Sequence, residues 1–405
     1  MAAVAVATLA GCSSSTAPTA ESNASSNPAA PTSTTAAAPA TRGAEASLDA
    51  VPWSQVGPGW MLATWSLVPG GHGGEEPKPG EPSFQTATTT LYLVDPQGGR
   101  YPVTTFPPPG DGPNPGLVDW SGDGTRALVY AQGDKQGTVI EVDLHTGKQT
   151  SFMVDGFDVT PRYSRPQGKA VLLAKADDVD SPAALRRVDL AGKPQLTYPV
   201  DKIGSEFNAA YLSNPDGTQL ILGTKSGLAL MGNDGSVGKP LPIAAAGSCQ
   251  PTRWFNTEST IALASCYGSD AGSRLWLVPV DGSAPTALTA PITDPLSGDL
   301  GDVDAWRLPK ATYVQATGAC GYRYLATLNA DGTTTPVSVP NVDKDSSVVV
   351  LGANGGHLNL QATVSCGTGQ SLLDYDTDTN TSTVLLGPPV NDGGVIAALP
   401  YPSSK

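Results

Sequence analysis

LYLVDPQGGRYPVTTF (91–106), VIEVDLHTGKQTSFMV (139–154) and LRRVDLAGKPQLTYPV (185–200) are copies of one pattern. A short apolar strand leads into a turn built on Asp or Gly, and a second short strand follows. The pattern returns as LALMGNDGSVGKPLPI (228–243), LWLVPVDGSAPTALTA (275–290), YLATLNADGTTTPVSV (324–339) and LLDYDTDTNTSTVLLG (372–387). The turn aspartates are Asp95, Asp143, Asp189, Asp234, Asp281, Asp331 and Asp376, spaced by 45 to 50 residues.

The first half of each unit is a hairpin as well. DWSGDGTRALVYA (119–131) and YLSNPDGTQLILG (211–223) show it well, and YSRPQGKAVLLA (163–174) and WFNTESTIALAS (254–265) are degenerate copies. Asp-Gly and Gly turns supply the positive φ that tight hairpins need. The apolar runs after these turns have the length of strands buried on both faces, and no stretch keeps a helical period. Units of four strands, repeated about every 45 residues, read as blades of a β-propeller. The expected fold is therefore all-β: a seven-bladed β-propeller of four-stranded antiparallel blades over residues 51–405. The innermost strand of its first blade is either VPWSQV (51–56) or GGVIAALPY (393–401). The second is preferred, because it clasps the ring with both chain ends and removes an exposed edge.

Trp120-Ser121-Gly122-Asp123-Gly124 and Ser213-Asn214-Pro215-Asp216-Gly217 are similar to the W-S-P-D-G element of TolB-like, WD-repeat-like propellers. The period covers most of the chain, while only these two units carry a good motif. TolB itself adds an N-terminal α/β domain and has six blades. The resemblance therefore implies the fold and not the partners of TolB.

The N-terminus, MAAVAVATLAGC (1–12), is apolar up to small residues at the place where a signal peptidase cuts. Leu9-Ala10-Gly11-Cys12 resembles the lipobox of bacterial lipoproteins, which implies a signal peptide over 1–11 and a diacylglycerol thioether on Cys12. The segment is too short to span a bilayer. The first basic residue is Arg42, so a basic n-region is expected upstream of Met1. Residues 12–50 hold almost no large apolar side chain and read as a disordered Ser/Thr/Ala/Pro tether, of the kind typical of actinobacterial lipoproteins. The expected location is the extracytoplasmic face of the cell membrane, anchored through the lipid.

The other cysteines, Cys249, Cys266, Cys320 and Cys366, are an even set for an oxidising compartment and have no C-x-x-C spacing for zinc. Four cysteines allow three pairings. In the strand assignment Cys249–Cys266 would staple one blade, and Cys320–Cys366 would join corners of adjacent blades.

With 23 Lys+Arg against 37 Asp+Glu the net charge is −14, which excludes a nucleic-acid partner. Charged residues make up 15% of the chain, against 46 Gly and 37 Pro, so a helical bundle is disfavoured. Asp177, Asp178 and Asp180 form the tightest acidic cluster and are the only metal candidates, though calcium wants six to eight oxygens. No cofactor is expected. His72, His145 and His357 need not meet, and no G-x-S-x-G or H-E-x-x-H occurs. Trp60, Trp65, Trp120 and Trp276 are expected between blades, while Trp53 and Trp254 are candidates for a sugar or peptide platform. The irregular stretches 69–88, 107–116, 175–183 and 290–302 all map to one acidic face.

The expected function is a non-catalytic, monomeric envelope lipoprotein that binds a protein or glycan through this acidic, loop-rich face. The alternative is a carboxylate-dependent exported hydrolase with its site at the central channel. Mass spectrometry of the membrane-extracted protein is expected to find Cys12 as a lipid-bearing first residue. An unmodified Cys12 removes the anchor from the account.

Overall fold

The computed structural model describes residues 42–68, 80–156, 159–177, 181–244, 246–268, 272–292, 298–344, 346–364 and 369–402. The expected signal peptide, Cys12, the expected tether up to residue 41, His72, Asp178, Asp180 and Cys366 lie outside these.

The described residues form strands and a few single-turn 3-10 segments. Five sheets have four strands each, all paired antiparallel, and four of the five are in sequence order. From the inside outward the second sheet runs Pro115–Trp120, Arg126–Ala131, Gln136–Asp143 and Gln149–Asp155. The third begins at Val159–Tyr163, the fourth at Phe207–Ser213 and the last at Ser346–Asn354. The first is built by both chain ends: Gly394–Pro400 is innermost, then Met61–Ser66, Thr89–Val94 and Arg100–Phe106. The segment 51–56 supplies no strand; Trp53–Gln55 is a 3-10 turn. Gly394–Pro400 also packs beside Pro115–Trp120 on one side and Ser346–Asn354 on the other, so the stack of sheets closes on itself.

The expected seven separate blades are corrected at one place. The units starting at Cys249–Trp254 and Asp299–Arg307 are merged into a single eight-stranded sheet. They are joined by a parallel bridge between Ser273 and Gly301. Gly301 permits this approach, because a Cβ there would sit 2.1 Å from the Ser273 carbonyl oxygen, and its φ is +98°. Within this sheet the two halves face each other across Phe255, Leu263, Leu275, Ala305 and Val314.

The core is a series of apolar layers between neighbouring sheets. Along Arg126–Ala131, Ala127 and Val129 pack toward Leu62 and Tyr101 of the first sheet, while Leu128 and Tyr130 pack toward Val171 of the third. The period of two of a strand thus feeds both faces, and both are buried.

The repeated aspartates are turn devices. Asp95 Oδ1 accepts the amides of Gln97 (2.8 Å) and Gly99 (2.9 Å), and Asp189 Oδ1 those of Ala191 and Lys193 (both 2.9 Å). Asp143, Asp234, Asp281, Asp331 and Asp376 each accept an amide two residues on. A short carboxylate can satisfy the amides that a tight turn leaves exposed, which is why Asp recurs there.

The domain boundary moves. Residues 42–50, read from composition as tether, are docked on the first sheet. Gly43 and Ala46 donate their amides to the Gly98 and Arg100 carbonyls (2.9 and 3.0 Å). Glu45 Oε2 accepts from the Tyr92 hydroxyl (3.0 Å) and from Arg100 Nε (3.2 Å). Ala46, Leu48 and Ala50 pack on the apolar layer beneath.

Removing Gly394–Pro402 would leave the Met61–Ser66 edge unpaired and open the layer that holds Val395 and Ala398. The truncated chain is expected to lose the cooperative thermal transition that the full chain shows by circular dichroism.

Candidate functional site

The innermost strands end together on the face of the short turns. Their last residues line a cavity of about 590 Å3 at the mouth of the ring. Three positions in its wall carry tryptophan: Trp120, Trp254 and Trp306. Trp120 and Trp306 are 1% and 4% exposed. Trp254 is half-buried, and its Nε1 donates to the Ser213 carbonyl (3.0 Å), which fixes the indole plane. Tyr401 adds an aromatic edge against Trp120, with ring centroids 5.1 Å apart.

Two carboxylates sit beside these rings in the same arrangement. Asp119 accepts the amides of Trp120 (2.9 Å) and Tyr163 (2.8 Å) and takes Nη2 of Arg165 at 2.8 Å. Asp304 accepts the Ala305 amide (2.9 Å), the Thr252 hydroxyl (3.1 Å), and Nε and Nη2 of Arg253 (2.6 and 2.5 Å). Each Asp therefore caps its own strand and holds an arginine from a neighbouring unit, Arg253 on an innermost strand and Arg165 just after one, and charge-assisted bonds of this kind are the stronger ones.

A reciprocal pair of cation–π contacts completes the wall. The Arg253 guanidinium lies 4.1 Å from the Trp306 ring centroid, and that of Arg307 lies 4.8 Å from Phe255. Arg307 is exposed and has no ion-pair partner among the described residues. The cavity lining thus carries Arg165, Arg253, Arg307 and Asp119, while Asp304, outside the lining, neutralises Arg253. One positive charge is left over in a chain of net charge −14.

The residues singled out from sequence scatter. Cys249 and Cys266 form a disulfide across the innermost pair of strands of the eight-stranded sheet. Cys320 is exposed, and its expected partner Cys366 lies outside the described residues. Asp177 is described without Asp178 and Asp180, and no group of three metal-ligating side chains exists among the described residues. Trp53 does not offer a free platform, because its ring is stacked on His145 at 3.9 Å. Trp65 and Trp276 are only half-buried; Trp65 Nε1 donates to the Asp392 carbonyl, and Arg274 covers Trp276.

None of the described residues in the irregular stretches 80–88, 107–116, 175–177, 181–183, 290–292 and 298–302 lines the mouth cavity. Their face carries a second cavity, bordered by Asp299, Tyr322, Tyr324 and Lys344. Sequence reasoning missed Arg165, Arg253, Arg307, Asp119, Asp304 and the role of Trp306. The available signal was the alignment of strand ends, which puts Trp120, Trp254 and Trp306 at equivalent places just before a turn.

Burial raises two carboxylates above their ordinary range. Asp302 is pushed up to about 6 by burial and by the charge of Asp299, with a hydrogen bond from Thr289 acting against this. Asp95 is raised by burial, while the amides of its turn pull it back. Neither lines the mouth cavity.

No protein-family model matches the chain, and no curated protein matches it. Solved structures do. A prolyl endopeptidase aligns at 12% identity with a TM-score of 0.51, over 73% of this chain and 46% of its own. The chain thus spans about half the length of that enzyme. TolB from Acinetobacter baumannii aligns at 14% identity and a TM-score of 0.45, over 84% and 66% of the two chains. The β-propeller domain of Cps50 (Swd1) from Myceliophteria thermophila aligns at 14% identity and 0.46, over 74% and 90%. The four-stranded sheets and their closure make the fold a β-propeller, and TolB-like and WD-repeat-like propellers are among its structural neighbours. At these identities the likeness extends to the fold alone.

Because the Asp302 carboxyl is easier to protonate in the folded state, its contribution to stability is full below about pH 4 and is lost as pH rises through about 6. Asp302→Asn is expected to flatten this part of the pH–stability curve. It should stabilise the protein at pH 7 by about 2 kcal/mol in urea unfolding, with about 3 kcal/mol as the upper bound.

Proposed function

We propose that this chain is an exported binding protein of the cell envelope, held at the extracytoplasmic face of the cell membrane by a lipid on Cys12. Its propeller, seven-bladed when the halves of the eight-stranded sheet are counted separately, is a non-catalytic scaffold that takes a protein or glycan partner. The binding face is the mouth lined by Trp254, Arg253 and Arg307 rather than the acidic face of long loops.

One observation carries this reading. The carboxylate that lines the mouth, Asp119, and the one behind it, Asp304, are both spent as acceptors. Asp119 holds two backbone amides and an arginine, and Asp304 one amide, a hydroxyl and an arginine, which suits a rigid receptor wall and leaves neither of these two carboxylates as a free acid or base. A hydrolase at the channel would need two carboxyl groups with different protonation states facing the substrate. The carboxyl raised most by burial, Asp302, is outside this cavity.

The test is crosslinking capture from intact cells with the full chain. It compares wild type, Trp254→Ala, and a chain whose irregular loops at 80–88 and 290–302 are shortened, each checked for its thermal transition. The mouth variant is expected to lose the captured partner and the loop variant to keep it. The opposite result transfers binding to the loop face, and identical recovery by all three ends the binding reading for both faces.

A further inference from the structure

The mouth cavity combines features that together specify a ligand. In a strongly acidic chain, it holds a guanidinium that no described carboxylate compensates. Arg165 and Arg253 are each neutralised by an aspartate at 2.8 Å or less, whereas Arg307 has no such partner among the described residues. Arg307 lies over Phe255, so its ring-facing side is occupied and its in-plane N–H donors remain available. Those donors form a fork whose natural complement is a planar carboxylate. Beside it stands Trp254, half-buried, its indole locked through Nε1 to Ser213.

The backbone around the mouth decides between two kinds of acidic ligand. An extended peptide docks by pairing with free main-chain groups on a strand edge. Here several of those groups are already used. The Trp120 and Tyr163 amides are held by Asp119, and the Ala305 amide by Asp304. The Trp120 carbonyl accepts from Arg165, and the Ser213 carbonyl from Trp254. A peptide would find few of the main-chain groups that a ladder needs beside these rings. A sugar needs no ladder; it needs an aromatic face and fixed polar groups. The volume of about 590 Å3 is that of a site for a small ligand.

We infer that the mouth binds an acidic glycan: a uronic-acid unit whose carboxylate is taken by Arg307 while its ring stacks on Trp254. The inference rests on the proposed reading of the mouth as the binding face, and it names the ligand class.

The test is titration calorimetry on the full chain with three probes. These are a glucuronate-containing disaccharide, the same disaccharide with its carboxyl reduced to hydroxymethyl, and a glutamate dipeptide. The uronate is expected to bind at least tenfold more tightly than either other probe, and its affinity should fall as salt rises. Arg307→Gln should weaken uronate binding by about tenfold, the loss of a charge-assisted bond, and leave the neutral sugar unchanged. Trp254→Ala should weaken both sugars. Equal affinity for the charged and neutral sugars, or indifference to Arg307→Gln, overturns the assignment. Tighter binding of the dipeptide replaces the glycan with a peptide. If no probe binds while Trp254→Ala still abolishes capture in cells, the glycan inference fails and the binding face survives.

Discussion

Closure of the ring is the constraint on which the rest depends. Each sheet is apolar on both faces, so each needs a neighbour on either side. A linear stack would leave two terminal faces and several strand edges exposed to water. Pairing Gly394–Pro400 with Met61–Ser66 removes this defect by placing the first and last parts of the domain in one sheet. Gln361 strengthens the joint from the adjacent sheet, donating to the carbonyls of Val395 (3.1 Å) and Ile396 (3.2 Å). The apolar layer holding Met61, Leu372, Leu386 and Val395 then becomes continuous with the layers on either side.

Within that frame the aspartates have two kinds of work. Those in the turns satisfy local amides, so their neighbours in sequence explain them. Asp119 and Asp304 instead hold arginines that arrive 46 and 51 residues away. Partly buried ion pairs contribute modestly to stability once desolvation is counted, and their stronger effect is on orientation. Here they fix guanidinium groups against the tryptophan walls. Trp120 and Trp306 bury their Nε1 atoms without a hydrogen-bond partner among the described residues, so the mouth accepts a polar cost to keep large rings in its wall.

The eight-stranded sheet marks a local departure from the repeat. One glycine contact lets two neighbouring units share a bridge, and the rest of each unit keeps its own antiparallel register. The Cys249–Cys266 disulfide stiffens the inner edge of the first of these units, next to Thr252, Arg253 and Trp254. The strand that carries cavity residues is thereby tied at its opposite end.

Much of the fold was legible in the linear chain, because its determinants are short-range. Alternation of apolar side chains, Asp and Gly at turns, and the return of the pattern every 45 to 50 residues depend on neighbours a few positions apart. The strand pairs 91–106, 139–154 and 185–200 fall where these signals put them. The role of residues 42–50 was hidden, because a polar, small-residue segment orders only when a complementary edge is offered, here by Arg100 and Tyr92. The site was hidden for the same reason on a larger scale. Asp119 with Arg165, Arg253 with Trp306, and Arg307 with Phe255 each come from different repeat units. Nothing in the local pattern of one strand states which partner lies across the mouth; only closing the ring brings them into contact.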